Sequence, residues 1–233
     1  MGGVEGRRRL AGERLTVLNL MLPRTGGRPL RILCVGAHSD DIEIGCGGTL
    51  LHLLASRRCA VDWVVFSAAG RREAEARRGA RRFLPDAVRS RVVLHPYRDG
   101  FFPADWERIK ESFETIRSEV EPDLVFTHGR EDRHQDHRVL SDLAWNTFRN
   151  HQILEYEIPK WDGDFGTPNL YVPLSDALAR RKVAALMAVF ASQRSKRWFT
   201  EETFRAVLRL RGIECGAQWA EAFTLRKGCL SPG

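Results

Sequence analysis

Cysteine is scarce and unpatterned in this chain. There are five, at positions 34, 46, 59, 215 and 229, an odd number with no CxxC spacing. That argues against a disulfide framework and predicts a reducing, cytoplasmic setting. Long apolar runs are also missing. None approaches the roughly 20 residues that cross a bilayer, so no stable membrane insertion is expected. Residues 1–15, MGGVEGRRRLAGERL, hold arginines but no apolar core, and do not read as a secretory signal. Aromatic residues are absent from the arginine-rich run 71–82. The stacking platform of a single-strand nucleic-acid binder is therefore lacking there, and the formal charge of +7 reads as a solvated helix face plus a basic N-terminal tail. No nucleic-acid partner is expected. An acidic or phosphorylated substrate stays compatible with the charge.

What is present suits one domain with a sizeable core: 233 residues, 43% hydrophobic and 29% charged. Short apolar runs at 32–35, 61–66, 92–94, 124–127 and 153–156 read as strands. Between them lie helical patterns at about 49–54, 71–83, 105–120 and 138–150, the third with Trp106, Ile109, Phe113 and Ile116 at helical spacing. Residues 159–173, PKWDGDFGTPNLYVP, read as a loop. Helices over about 174–192 and 200–211 and a last strand within 217–225 follow. Strands alternating with helices predict an α/β fold with a mostly parallel sheet. Residues 1–29 read as an N-terminal extension, with 15–22 a helix or extended segment, and residues 30–233 as the single domain.

Two stretches carry the chemistry. LRILCVGAHSDDIEIGCGGTL, residues 30–50, leaves a buried strand and presents His38, Asp40 and Asp41 before a helix. THGREDRHQDHR, residues 127–138, follows another apolar strand and presents His134, Asp136 and His137. In an open α/β sheet, ligands sit beyond the carboxyl ends of strands. Imidazoles and carboxylates gathered there suit a divalent metal together with an acid–base group. The glycines at 45, 47 and 48 do not make a dinucleotide fingerprint, because Leu50 stands where the third glycine belongs. Close helix–strand packing is the better account of them.

Together, AHSDD…GGTL and HQDH resemble the PIG-L/LmbE-like family of zinc-dependent de-N-acetylases. The resemblance runs from about residue 30 to 223, where RGIECGAQWAEAF looks like the family's closing segment. Ser39 replaces the family's usual proline, Ile42 a common acidic residue, and Asp132 stands where the family has a tyrosine before HxDH. The resemblance implies a Rossmann-like domain that hydrolyses an N-acetyl or other N-acyl group of an amino-sugar conjugate, such as an N-acetylglucosamine derivative. It implies Zn2+ held by His38, Asp41 and His137, with Asp40 as general base. His134, as an imidazolium, would stabilise the oxyanion and protonate the leaving amine, and Asp136 would bond and orient a histidine, with His134 the first candidate. Arg72 and Asp99 stand where the family binds sugar, and Trp161 is a candidate to stack on a sugar ring or aglycone. Several readings stay open at this point. Asp40 is also placed to cap a helix, Asp136 to make a surface ion pair, Arg72 and Asp99 to be surface charges, and Trp161 to pack in the core. The alternatives for the whole are a metal amidase of non-sugar N-acyl substrates and a non-catalytic zinc-containing binding module.

Overall fold

The computed structural model describes Leu22 and residues 25–229. The expected N-terminal segment over 15–22 lies almost wholly outside them. A single seven-stranded sheet runs in the order β3-β2-β1-β4-β5-β7-β6. Its strands are β1 (Leu30–His38), β2 (Cys59–Ser67), β3 (Arg89–Leu94), β4 (Leu124–His128), β5 (Gln152–Tyr156), β6 (Leu170–Leu174) and β7 (Trp219–Thr224). The five strands from β3 to β5 pair in parallel, and β7 is antiparallel to both β5 and β6. The sheet is thus mostly parallel, as the alternation of elements predicts. Its chain order reverses beside β1, which has β2 on one side and β4 on the other. A crevice opens at such a reversal, beyond the carboxyl ends of the two strands.

Among the described residues six α-helices cover the sheet: α1 (Asp41–Ser56), α2 (Arg71–Phe83), α3 (Trp106–Glu119), α4 (Gln135–Thr147), α5 (Asp176–Val189) and α6 (Glu201–Glu214). Alternate residues of β1 feed two cores. Ile32 and Cys34 join α1, α2, α5 and α6 on one face, while Leu33 and Val35 join α3 and α4 on the other. Central strands buried on both faces read as unbroken apolar runs, which is why β1, β2 and β4 are visible in the sequence. No helix among the described residues is long and apolar enough to cross a membrane.

Helix α4 begins at Gln135 with His134 as its N-cap, so the HQDH stretch opens it. Two boundaries differ from expectation. Helix α1 begins at Asp41 and not near 49, so the glycines at 45, 47 and 48 lie within it. Residues 170–174, read as the end of a loop, form β6. Pro173 hides that strand from sequence reading, yet β6 lies at the sheet edge, where a residue without an N–H is tolerated.

Helix α1 sits unusually close to its neighbours, and its glycines permit it. A Cβ on Gly45 would lie 2.3 Å from the Tyr156 ring, and one on Gly47 2.5 Å from the Phe83 ring. A buried ion pair, Lys182–Glu221 at 2.5 Å, grips the same helix. Glu221 accepts from the Gly48 and Thr49 amides at 2.7 and 2.6 Å, and Lys182 donates to the Ile44 carbonyl. These contacts fix where the first turn of α1, with Asp41, meets the end of β1.

Gly45→Ala should destabilise the protein by about 1–3 kcal/mol through overpacking against Tyr156. Gly166→Ala, where the space is open, should stay within about 0.5 kcal/mol of the parent. Urea midpoints measured for both variants check this. Equal midpoints would mean that α1 shifts at no cost.

Candidate metal centre and catalytic site

His38 is the last residue of β1, and Asp41 opens α1 three residues later. His137 lies in the first turn of α4, which follows β4. Because β1 and β4 are parallel neighbours, both ends point into the same crevice. His38 Nδ1 lies 3.3 Å from Asp41 Oδ2 and 3.2 Å from His137 Nε2, and the last two atoms are 3.5 Å apart. Donors at zinc-ligand distances of about 2.1 Å in a tetrahedron are about 3.4 Å from one another. The triangle therefore fits a small divalent cation.

The outer nitrogens support the same fit. His38 Nε2 faces Asp136 Oδ2 at 3.3 Å and Asp99 Oδ1 at 3.0 Å. His137 Nδ1 faces Asp132 Oδ2 at 2.8 Å. Each carboxylate takes the N–H of its imidazole, so the lone pairs of both inner nitrogens aim at one point beside Asp41. Metal-bound histidines are typically oriented this way. Asp41 is itself fixed by the His38 backbone N–H at 2.6 Å. Burial works against charge on Asp41, yet the cluster of imidazoles around it holds its carboxyl well below the usual carboxylate range. Burial, with His128 next, pushes His137 down to about 3, so it is neutral and has a lone pair to give. Burial also opposes charge on His38, but Asp41, Asp136 and Asp99 raise it well above the ordinary imidazole range. That site favours positive charge, and a metal ion would supply it.

Asp40 is buried, and its side chain makes no capping hydrogen bond to α1. Instead Asp40 Oδ1 accepts from Arg72 at 2.6 Å. Arg72 is therefore neither a free surface charge nor an unengaged substrate ligand. It leaves the first turn of α2, touches Ser192 Oγ at 3.3 Å and fixes Asp40. Asp99 reaches the site from the segment after β3 with its side chain 73% exposed, and its hydrogen bond to His38 lowers its carboxyl to about 2. Trp161 is not in the core: it is 67% exposed.

Two expected roles change. Asp136 orients His38 and not His134. Its carboxylate is drawn away by the Gly100 and Phe102 amides at 2.6 and 3.1 Å, which set it against His38 Nε2. His134 in turn accepts the Asp136 backbone N–H on Nδ1 at 3.3 Å. Burial and then His38 lower its basicity. The neutral form, with the proton on Nε2, is thus favoured over the expected imidazolium. Its ring centroid lies 4.9 Å from that of His38 and 4.6 Å from that of His137.

Two residues at the site have no role in the sequence reading. Asp132 holds His137 and also accepts the His134 backbone N–H at 2.8 Å. His128, the end of β4, stacks on His137 with centroids 3.9 Å apart, accepts the Ala37 N–H at 3.0 Å, and has Nε2 3.2 Å from Asp41 Oδ2. Their one sequence signal is their place just beyond, or at, the end of an apolar strand.

Known proteins resemble this chain in sequence and in fold. A model of the PIG-L family, described as GlcNAc-PI de-N-acetylase, matches residues 33–148, which carry both motifs. An uncharacterized deacetylase of Escherichia coli K12, YaiS, is 29% identical over 184 residues, covering 73% of this chain and 96% of its own. Among solved structures of similar fold is the N,N'-diacetylchitobiose deacetylase of Pyrococcus horikoshii. It has a TM-score of 0.65 and 22% identity, over 87% of this chain and 86% of that one. Another is GalB of Pseudomonas putida, a 4-carboxy-2-hydroxymuconate hydratase, with a TM-score of 0.69 and 18% identity over 88% and 99%. The deacetylase relatives support a hydrolase. With both motifs inside the matched region and converging on one metal-sized triangle of donors, the chain belongs to the PIG-L/LmbE-like family.

Proposed function

We propose that this protein is a zinc-dependent deacetylase that removes an N-acetyl or similar N-acyl group from a small amino-sugar conjugate. The observation that carries the reading is the convergence of His38, Asp41 and His137 on one point with Asp40 beside it. Two imidazoles and one carboxylate are a donor set suited to catalytic zinc, which keeps a position open for water or substrate. A bound zinc would polarise the acyl carbonyl and make water more acidic.

The chain's own residues do the rest. Asp40, held by Arg72, takes the proton from the attacking water. His134 presents its Nε2–H to the oxygen on which negative charge develops, and its buried surroundings strengthen that hydrogen bond. Asp132 and Asp136 keep His137 and His38 turned inward. Asp99, exposed at the rim, is available to a sugar hydroxyl, and Trp161 to a ring face. The family's description as a GlcNAc-PI de-N-acetylase and the chitobiose substrate in one structural relative's name support an N-acetylglucosamine derivative as the first substrate to try. A hydratase shares the fold, so the assay must read acetate. Acetate release from a panel of N-acetylated sugars and non-sugar amides, with the zinc-loaded protein, separates sugar deacetylase from general amidase. Tight zinc with no product from any member would favour a binding module.

His38→Ala and His137→Ala should each bind zinc far more weakly and release no acetate. Metal analysis of the purified variants tests this, and near-stoichiometric, tightly held zinc in both would remove the ligand assignment. Asp40→Asn should keep its zinc, because Asp40 points to Arg72 and not to the donor triangle, while kcat falls by about 10²–10⁴-fold. Loss of zinc from Asp40→Asn would make Asp40 a ligand. Near-parental turnover with zinc retained would move the base elsewhere, with Asp136 and Glu43 the next residues to substitute.

A further inference from the structure

Between β5 and β6 runs a loop, residues 157–169, with exposed Trp161 and Phe165. Connections of this length without an element of their own are usually functional or disordered. This one is tied down by buried charge. At its root, Arg211 of α6 donates to both oxygens of Glu157, at 2.6 and 2.9 Å, and to the Gly166 carbonyl at 3.2 Å. Midway, Lys160 has a side chain only 6% exposed and reaches Asp132 Oδ1 at 3.0 Å and Asp164 on its other side. Asp164 accepts the Arg133 backbone N–H at 2.7 Å. The polar contacts at the middle of the loop, from Lys160 and Asp164, thus end on residues 132 and 133, directly before the HQDH stretch.

Asp132 is the meeting point. One of its oxygens takes the His137 Nδ1–H, and the other faces Lys160 and the His134 N–H. Removing one partner of a buried charge pair leaves the other uncompensated, so Lys160 cannot leave Asp132 without disturbing it. Anything that fixes Asp132 in this rotamer favours both the inward turn of His137 and the docked loop.

We propose that Lys160 is a positioning residue that latches the aromatic 157–169 loop onto the metal centre, so that metal ligation by His137 and docking of the loop are one coupled equilibrium. The loop with Trp161 would then form a substrate wall only when the centre is loaded. This rests on His137 being a metal ligand, as proposed above. Because coupling between two sites is reciprocal, metal binding must protect the loop as much as the docked loop strengthens metal binding.

Chymotrypsin cuts after exposed Trp and Phe, and mass spectrometry locates the cuts. Zinc loading of the full-length parent should slow cleavage after Trp161 and Phe165 by about 5-fold or more, the lower end of typical coupling. In Lys160→Met that protection should vanish, and zinc affinity, measured against a chelator, should fall by about 10-fold, as for loss of other groups that support a ligand. Asp164→Asn keeps the Lys160–Asp132 contact and should retain part of the protection. A parent that holds zinc but is cut at equal rates with and without it overturns the latch while leaving the metal reading intact. Full zinc protection persisting in a folded Lys160→Met overturns the assignment to Lys160. If that variant does not fold, the parent and Asp164→Asn decide. A parent that binds no zinc removes both the metal reading and the latch.

Discussion

Two imidazole lone pairs and a carboxylate oxygen meet within 3.5 Å of one another at the mouth of the β1–β4 crevice. Groups of one electrostatic sense repel at that distance unless a cation lies between them or the surrounding protein forces them together. Much of the local sequence serves that force. Asp132 and Asp136 each take an imidazole N–H and so hold the other nitrogen inward. Those carboxylates would be costly alone in a buried place, and each has partners of its own: Lys160 for Asp132, and the Gly100 and Phe102 amides for Asp136. Arg72 does the same for Asp40.

The sheet brings these groups to one place. Pairing of Ile32 with Leu124 and of Cys34 with Phe126 sets β4 beside β1 in register, and their ends then project to the same side. Helix α1 must approach closely enough for Asp41 to return to His38. The glycines at 45 and 47 make room beside Tyr156 and Phe83, and the Lys182–Glu221 pair holds the helix from behind. Lys182 and Glu221, 44 and 83 positions beyond the second motif, thereby help set the geometry of the donor triangle, through packing and hydrogen bonds and with no contact to the donors themselves.

The donors are local in sequence, but their orientation is not. The segment after β3 supplies Asp99 and the amides that hold Asp136, the loop after β5 supplies Lys160, and α2 supplies Arg72. Loops of a rigid sheet are free to vary while the strand ends stay put. This is a physical basis for one scaffold carrying both deacetylase and hydratase relatives.

The sequence by itself determined the mostly parallel sheet, its central strands, most of the helices, the close packing of the glycine segment and the two polar clusters. Each of these is a local pattern: apolar runs buried on both faces, helical spacing, and histidine and aspartate at a strand end. Residues 170–174 escaped because Pro173 and the short run resemble loop chemistry, and only pairing with β7 at an edge makes a strand of them. Who bonds whom in the site was decided by tertiary structure alone. Asp136 is two residues from His134 yet turns to His38, 98 positions away. Arg72 looks like one arginine among many until α2 places it on Asp40. Asp132 and Lys160 look unrelated until β4 and β5 lie side by side. Strand order and the direction each loop leaves the sheet fix these pairings. Periodicity and spacing along the chain do not encode them, because the free energy that selects the partners belongs to burying charge among neighbours that only the folded chain assembles.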